Sequence, residues 1–146
     1  DFNGFTAPDR ARDIALNMYE NEGADVIYHA AGLSGVGLFE AAKEYSEASG
    51  AKVWAIGVDS DQYNTADAAV KDYILTSMLK RVDVAVFEII KAHIEGSFGS
   101  GPQTYDLKVD GVGYATSGGF VDDIKDKLDE FKSKIVSGEI TVPTEP

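Results

Sequence analysis

Residues 24–37 read Ala-Asp-Val-Ile-Tyr-His-Ala-Ala-Gly-Leu-Ser-Gly-Val-Gly, and residues 53–62 read Val-Trp-Ala-Ile-Gly-Val-Asp-Ser-Asp-Gln. The apolar start of each stretch is typical of a short strand in a parallel sheet. The first stretch passes into a glycine-rich turn, and the second ends in a carboxylate, Asp59. The residues between them have the apolar spacing of a helix that ends at Gly50. A strand, a turn, a helix and a second strand form a βαβ unit, so this region predicts an α/β fold.

The rest of the chain continues this alternation of helices and strands. We predict helices over about 7–21, 38–50, 80–96 and 117–138, strands over 25–31, 53–58 and 73–77, and a hairpin formed by 104–109 and 112–115. The continuous apolar runs of the first two strands indicate that they are buried on both faces. Helices that alternate with strands predict a largely parallel sheet.

The glycine-rich turn and Asp59 are the strongest candidates for a binding site. Ligands of open parallel sheets bind at the carboxyl ends of the strands, so both features are expected to face one crevice. The Asp59 carboxylate can accept hydrogen bonds from the two vicinal hydroxyls of a ribose. Gly35 is expected where the backbone approaches the ligand closely, with a helix N-terminus behind it.

Nearby polar and aromatic residues are interpreted as structural. His29 and Trp54 lie inside predicted strands, where a buried His is more often hydrogen-bonded in the core than bound to a ligand. Asp61 and Gln62 follow a strand and have the composition of turn-forming residues.

The composition excludes several classes of protein and site. With 25 Asp and Glu against 13 Lys and Arg, the formal net charge is −12, which disfavours binding to nucleic-acid phosphates. The absence of Cys excludes disulfides and Cys nucleophiles, and the two His form no recognisable zinc pattern. No run approaches the roughly 18 apolar residues that cross a bilayer. The chain begins at Asp1 without a visible secretory signal.

A dinucleotide-dependent enzyme is one interpretation of the same site. The turn Gly32-Leu-Ser-Gly-Val-Gly37 is a loose form of the fingerprint that binds NAD or NADP, and an acid after the second strand holds a ribose in Rossmann folds. However, the chain has no His–carboxylate pair at a usable spacing and no Tyr-x-x-x-Lys motif. These absences weaken the enzyme interpretation, which stays open as an alternative in the form of an enzyme fragment.

Three further stretches carry a resemblance to a known family. Residues 74–86 read Ile-Leu-Thr-Ser-Met-Leu-Lys-Arg-Val-Asp-Val-Ala-Val, residues 105–114 read Tyr-Asp-Leu-Lys-Val-Asp-Gly-Val-Gly-Tyr, and residues 134–143 read Lys-Ile-Val-Ser-Gly-Glu-Ile-Thr-Val-Pro. Together with residues 24–37 and 53–62, and in the same order, they resemble the basic membrane protein family. This family comprises substrate-binding lipoproteins of ABC importers.

The resemblance implies a specific architecture. It corresponds to the C-terminal half of a type I periplasmic binding protein fold, in which two three-layer α/β lobes close over a ligand. On this basis, residues 1–76 and 102–146 form the C-terminal ligand-binding lobe, and residues 77–101 cross to an N-terminal lobe outside this chain. The apolar helix at 80–96 is then expected to expose an apolar face that contacts the missing lobe.

The resemblance also implies a function and two further site residues. The expected ligand is a purine nucleoside, and the expected partner is an ABC permease in the membrane. The expected activity is binding rather than catalysis, with no cofactor and no metal. The protein is then an extracytoplasmic lipoprotein, on the cell surface or in the periplasm, whose signal and anchor are not in this chain. Lys80 matches the family's binding-site lysine, and Phe5 lies where members carry an aromatic residue facing the cleft. Leu33 and Ser34 depart from the family's usual turn, which leaves a sugar or quorum-signal ligand as an alternative.

Overall fold

Four strands form one sheet, in the order in which they occur along the chain. They are β1 (Val26–Tyr28), β2 (Trp54–Gly57), β3 (Ile74–Lys80) and β4 (Val112–Tyr114). In the computed structural model, which describes residues 2–143, β1 pairs with β2 and β2 with β3 in parallel. Backbone hydrogen bonds join Ala115 to Ser77 and Arg81 to Gly111. The residue numbers of the bonded partners increase along β3 and decrease along β4, so the two strands are antiparallel. The predicted α/β class is confirmed.

Residues 2–143 also contain five α-helices. They are α1 (Pro8–Asn21), α2 (Gly35–Ser49), α3 (Gln62–Thr65), α4 (Val82–Ile94) and α5 (Lys125–Ser137). The predicted end of α2 at Gly50 and the predicted end of the last helix at Gly138 are confirmed, because these residues have φ of 74° and 83°. A left-handed residue at this position ends a helix at least steric cost when it is Gly.

Residue contacts divide the chain into two units. The first comprises Asp1–Leu79 and Tyr114–Phe120, and the second comprises Lys80–Gly113 and Val121–Pro146. The first unit therefore contains α1, α2, α3, β1 and β2, and the second contains α4 and α5. The predicted domain boundaries, by contrast, group α5 with the first strands. They concern a complete two-lobed protein and stay a prediction.

The core of the first unit lies between α1, α2 and one face of the sheet. Its strand residues are Ile27, Ala55 and Ile74, and its helix residues include Tyr19 and Phe39, which are 2% and 1% exposed. Burial of a large apolar side chain stabilises the fold by about 1.5–3 kcal/mol. The Tyr19 hydroxyl donates a hydrogen bond of 2.9 Å to the Trp54 carbonyl, which ties α1 to β2.

The first strand differs from its prediction in length and burial. It covers residues 26–28, and its side chains alternate, with Val26 39%, Ile27 8% and Tyr28 50% exposed. The prediction that it is buried on both faces is wrong for this chain. The physical reason is that α1 and α2 cover the face that carries Ile27, while Val26 and Tyr28 point to the other face.

The predicted hairpin at 104–115 is also wrong. Only Val112–Tyr114 is a strand, and it pairs with β3. Before it, the Asp106 carboxylate accepts a hydrogen bond of 2.9 Å from the Lys108 backbone N–H, and Leu107–Val109 forms a 3-10 turn. A side chain that bonds its own backbone in this way competes with strand pairing.

Two helix starts are shifted as well. The structure places Lys80 at the end of β3 rather than in a helix, because the sheet bond from Arg81 to Gly111 extends the strand pairing. The last helix begins at Lys125 and not near Ser117, since Gly118 and Gly119 have φ of 88° and 73°. Left-handed residues cannot continue a right-handed helix.

The Tyr19 hydrogen bond provides a stability test. Tyr19→Phe leaves the ring packing in place and removes the donor to the Trp54 carbonyl, so we expect a loss of about 1 kcal/mol in the free energy of unfolding. Urea unfolding measures this loss. Tyr45→Phe is the matched control, because the Tyr45 ring stacks on Tyr19 at 5.7 Å and keeps this contact without its hydroxyl. Equal stability of Tyr19→Phe and wild type would contradict the assignment.

Candidate ligand-binding site

The carboxyl ends of β1 and β2 lie at the same edge of the sheet. Their parallel register pairs Tyr28 with Ile56. Beyond Tyr28 the chain passes through His29 into a 3-10 turn at Gly32–Ser34, from which α2 begins. Beyond Ile56 it reaches Asp59 within three residues. The fold therefore brings the glycine turn and Asp59 to one edge of the first unit.

Asp59 has an unusual backbone for its residue type. Its φ is 67°, one of two positive values among the described non-glycine residues, and the residue is exposed. A left-handed conformation costs an L-residue roughly 1–2 kcal/mol, although Asp adopts it more readily than most. The next residue, Ser60, donates its N–H to the Val58 carbonyl at 2.8 Å, which closes a tight turn. Such backbone strain is frequent at functional sites.

Gly35 packs directly on the imidazole of His29. A Cβ at Gly35 would overlap the His29 ring, so a side chain cannot be accommodated without movement. His29 is 8% exposed, and its ring also contacts Phe39 edge-on at 5.6 Å between centroids. Burial lowers the pKa of His29, and smaller effects of the Gln62 hydrogen bond and the Asp59 charge oppose it. The interpretation of His29 as a hydrogen-bonded core residue agrees with this geometry.

Phe5 lies against the glycine turn. The ring is 56% exposed, and a Cβ at Gly32 would be 3.4 Å from its Cδ1 atom. The contact is held by Ser34, whose hydroxyl donates to the Gly4 carbonyl at 2.6 Å and accepts from the Ala7 N–H at 2.9 Å. Sequence reasoning missed this role of Ser34. Its near-complete burial, 1% exposed, explains why a small hydroxyl residue is suited to the position.

Lys80 belongs to the second unit, in which it is the first residue. It is exposed and ends β3. Of the four predicted ligand contacts, the first unit contains Phe5, Gly35 and Asp59. Their contacts with a ligand, and that of Lys80, stay predictions.

Gln62 links the residues that follow β1 and β2 to the middle of β3, a role that sequence reasoning did not predict because it identified Gln62 only as a turn-forming residue. Its Oε1 atom accepts from the Val58 N–H at 2.7 Å and lies 3.2 Å from Nε2 of His29. Its own N–H donates to Ser77 Oγ at 3.1 Å, and Ser77 is fully buried in β3. The sequence signal that accompanies this contact is Gly57, because a Cβ there would be 2.7 Å from Gln62 Oε1.

Asp61 acts as a structural residue of the same turn. One carboxylate oxygen accepts from Ser117 Oγ and from the Asn64 side chain, the latter at 2.8 Å. It thus connects the start of α3 to the segment after β4. Within residues 2–143, no group of three His, Cys, Asp or Glu side chains is arranged to hold a metal ion. None of the helices in that range is long and apolar enough to cross a membrane.

The packing of Gly35 on His29 predicts a strong coupling between the two positions. Gly35→Ala should reduce the free energy of unfolding by about 1–3 kcal/mol, because the new methyl group meets the imidazole. His29→Ala removes the obstacle, so Gly35→Ala should cost much less in that background, and a double-mutant cycle measures the difference. Gly99→Ala is the control, because nothing lies within 4 Å of a Cβ there. Additive effects would contradict this packing.

Comparison with known families gives a consistent result. The family profile described as "ABC transporter substrate-binding protein PnrA-like" matches residues 1–145. A CD4+ T-cell-stimulating antigen of Listeria monocytogenes is 40% identical over 152 residues, covering 99% of this chain and 42% of the relative. An ABC transporter nucleoside-binding protein of Lactococcus lactis is 35% identical over 148 residues, covering 96% of this chain and 42% of the relative. This chain therefore spans less than half the length of these relatives.

A solved structure supports the same assignment. An ABC transporter solute-binding protein from Aeropyrum pernix superimposes with a TM-score of 0.69 at 31% identity, covering 94% of this chain and 45% of that one. The α/β chain thus corresponds to part of a solute-binding protein fold. The alternative of a dinucleotide-dependent enzyme gains no support from these comparisons.

Proposed function

Because this chain belongs to the family of PnrA-like ABC transporter substrate-binding proteins, we propose that it is part of a receptor that delivers a small solute to an ABC permease. The proposed mechanism is binding without catalysis. The receptor closes around its ligand, and the closed form docks on the permease. The ligand shifts the population toward the closed form because it makes some contacts only there. Since the receptor meets its solute outside the cell, we propose an extracytoplasmic, membrane-anchored lipoprotein.

We propose a purine nucleoside as the ligand. The observation that carries this proposal is Asp59, an exposed carboxylate held in a left-handed turn at the carboxyl edge of the sheet. A carboxylate in this position suits the 2′,3′-diol of a ribose, and each such charged hydrogen bond contributes roughly 1.5–3 kcal/mol. The printed name of the Lactococcus relative, a nucleoside-binding protein, supports the same ligand class.

The other proposed contacts complete a nucleoside site. Phe5 offers an exposed aromatic face next to Gly32 on which a purine can stack. Gly35 begins α2, so we propose that the ligand meets the positive end of the helix dipole at this position. Lys80 would donate to a sugar hydroxyl or to a purine acceptor atom.

Helix α4 supports the proposal that the receptor has a second lobe outside this chain. None of its residues is buried, although most are apolar. Its exposed large side chains are Val82 56%, Val86 51%, Phe87 63%, Ile89 40%, Ile90 54% and Ile94 78%. A helix that is apolar on most of its surface is normally buried. We propose that the remainder of the protein covers it, so residues 77–101 are the segment that crosses to that lobe.

The free edge of β1 supports a longer chain as well. Asp25 and His29 make the backbone bonds to β2, so the peptide groups of Val26 and Tyr28 point to the opposite edge. A groove of about 440 Å³ lies between α1, β1 and the glycine turn, and its lining includes Ile14, Ile27 and Ser34. Because α1 and α2 cover the same face and βαβ crossovers are right-handed, a strand that precedes α1 belongs beyond β1, on the side away from β2. We propose that preceding residues of the full-length protein supply it.

The Asp59 assignment is tested by substitution in the full-length protein. Asp59→Asn keeps the shape of the side chain and removes its charge, so affinity for inosine, adenosine or guanosine should fall about 10- to 100-fold in titration calorimetry. Asp123→Asn, an exposed aspartate of the second unit, is the charge-matched control. The wild type should also reject 2′,3′-dideoxynucleosides.

Two other results would require different conclusions. Unchanged nucleoside affinity in Asp59→Asn would remove this residue from the site. A wild-type protein that binds a sugar or another small signal but no nucleoside would refute the proposed ligand class, while the receptor assignment would stand.

A further inference from the structure

We propose that Gln62 and His29 are positioning residues for Asp59 and the glycine turn, and that ligand affinity falls when His29 gains a proton. The inference rests on the proposed function, because it concerns how the same site is held and regulated. It is carried by the contacts that Gln62 makes with Val58 after β2, with His29 after β1 and with Ser77 within β3, all of which lie in the first unit.

The first step concerns the backbone at the end of β2. Pairing between β2 and β3 ends at Gly57 and Ser77, so the N–H of Val58 is the first beyond that register. Val58 is 7% exposed, and a buried N–H without a partner is costly. Gln62 Oε1 accepts from this N–H at 2.7 Å, immediately before the left-handed residue Asp59. Gln62 therefore fixes the backbone of Val58, which in turn positions the carboxylate of Asp59.

The second step concerns the hydrogen on His29. Gln62 Oε1 is already an acceptor for Val58, so the 3.2 Å contact with His29 Nε2 requires a hydrogen on that nitrogen. Nδ1 is then the acceptor of the imidazole, and the Ala31 N–H donates to it at 3.4 Å. Neutral His29 thus connects Gln62, which holds the backbone before Asp59, to Ala31 at the start of the glycine turn. Its ring also fills the space beneath Gly35.

The third step concerns what a proton would change. A hydrogen on Nδ1 would face the Ala31 N–H, so this contact would be lost and two donors would oppose each other. The charged imidazolium would also be largely removed from water, because His29 is only 8% exposed. The charged groups around it are Asp59, which favours the imidazolium, and Arg10, which lines the same groove. Gln62 and Phe39 are the uncharged neighbours from α3 and α2.

The direction of the pH effect follows from burial. Burial lowers the pKa of His29 below the ordinary value of 6.5, so the folded protein holds the neutral form at pH 7. Because the pKa of His29 is lower in the folded state than in the unfolded state, its full contribution to the free energy of unfolding is present at pH values above the unfolded-state pKa. That contribution is lost as the pH falls through about 6.5 toward the lowered value in the folded state. The same protonation should loosen the glycine turn and weaken ligand binding.

The ligand arm of the test uses the full-length protein and inosine. Between pH 7.5 and 5.5 the wild-type Kd should rise by about fivefold or more, since a coupled proton changes an equilibrium by up to about tenfold per pH unit. His29→Gln should remove most of this rise. His93→Gln is the matched control, because His93 is the other histidine of the chain, exposed in the second unit, and its substitution should leave the pH profile unchanged.

Two variants of Gln62 separate positioning from simple destabilisation. Gln62→Glu keeps the acceptor for Val58 and adds a charge beside His29, so the midpoint of the pH profile should move upward. Gln62→Leu removes the acceptor and should weaken inosine binding about tenfold at pH 7.5. A purely structural role would lower the melting temperature of both variants and leave the midpoint of Gln62→Glu unchanged, which would overturn the proposal.

A second readout needs no ligand. In NMR pH titrations of the apo full-length protein, the Ala31, Val58 and Asp59 amide resonances should follow the His29 ring in wild type and lose this titration in His29→Gln. If wild type binds no nucleoside at any pH, the proposed function fails, and this titration alone decides the inference. Amide resonances that do not follow His29, or a pH profile retained in His29→Gln, would overturn it.

Discussion

The parallel pairing of β1 with β2, in the register that matches Tyr28 with Ile56, is the constraint on which the site depends. It brings the end of each strand to the same edge, so that Asp59 becomes a neighbour of His29, which lies 30 residues earlier in the sequence, and of the glycine turn that follows His29. A shift of one residue would exchange the two faces of β1. Ile27 would then leave the core, and Val26 and Tyr28 would replace it.

Polar contacts at this edge of the sheet hold the residues of the candidate site in place. The side chain of Gln62 accepts a hydrogen bond from Val58 at the end of β2 and contacts His29 after β1, and its backbone N–H donates to Ser77 in β3. Gly57 leaves the space that these contacts occupy, and Gly35 leaves the space for His29. The two glycines therefore serve side chains of neighbouring strands, in addition to any close approach of a ligand.

Much of the fold could be predicted from local sequence patterns. The apolar runs, the helical spacing and the terminators Gly50 and Gly138 define the α/β order, because each depends on residues close together in the chain. The hairpin prediction was wrong because the Asp106 carboxylate accepts a hydrogen bond from the nearby Lys108 N–H, which bends the segment before β4. Gln62 was missed because its acceptor role arises from residues that meet only in the folded sheet.

We propose that this chain forms part of a nucleoside receptor of an ABC importer. Native mass spectrometry of the full-length protein, purified without refolding, tests it most directly. We expect an added mass that equals that of a purine nucleoside in the wild type and no such mass in Asp59→Asn. A bound sugar or other solute in the wild type, or a nucleoside retained equally by the variant, would contradict it.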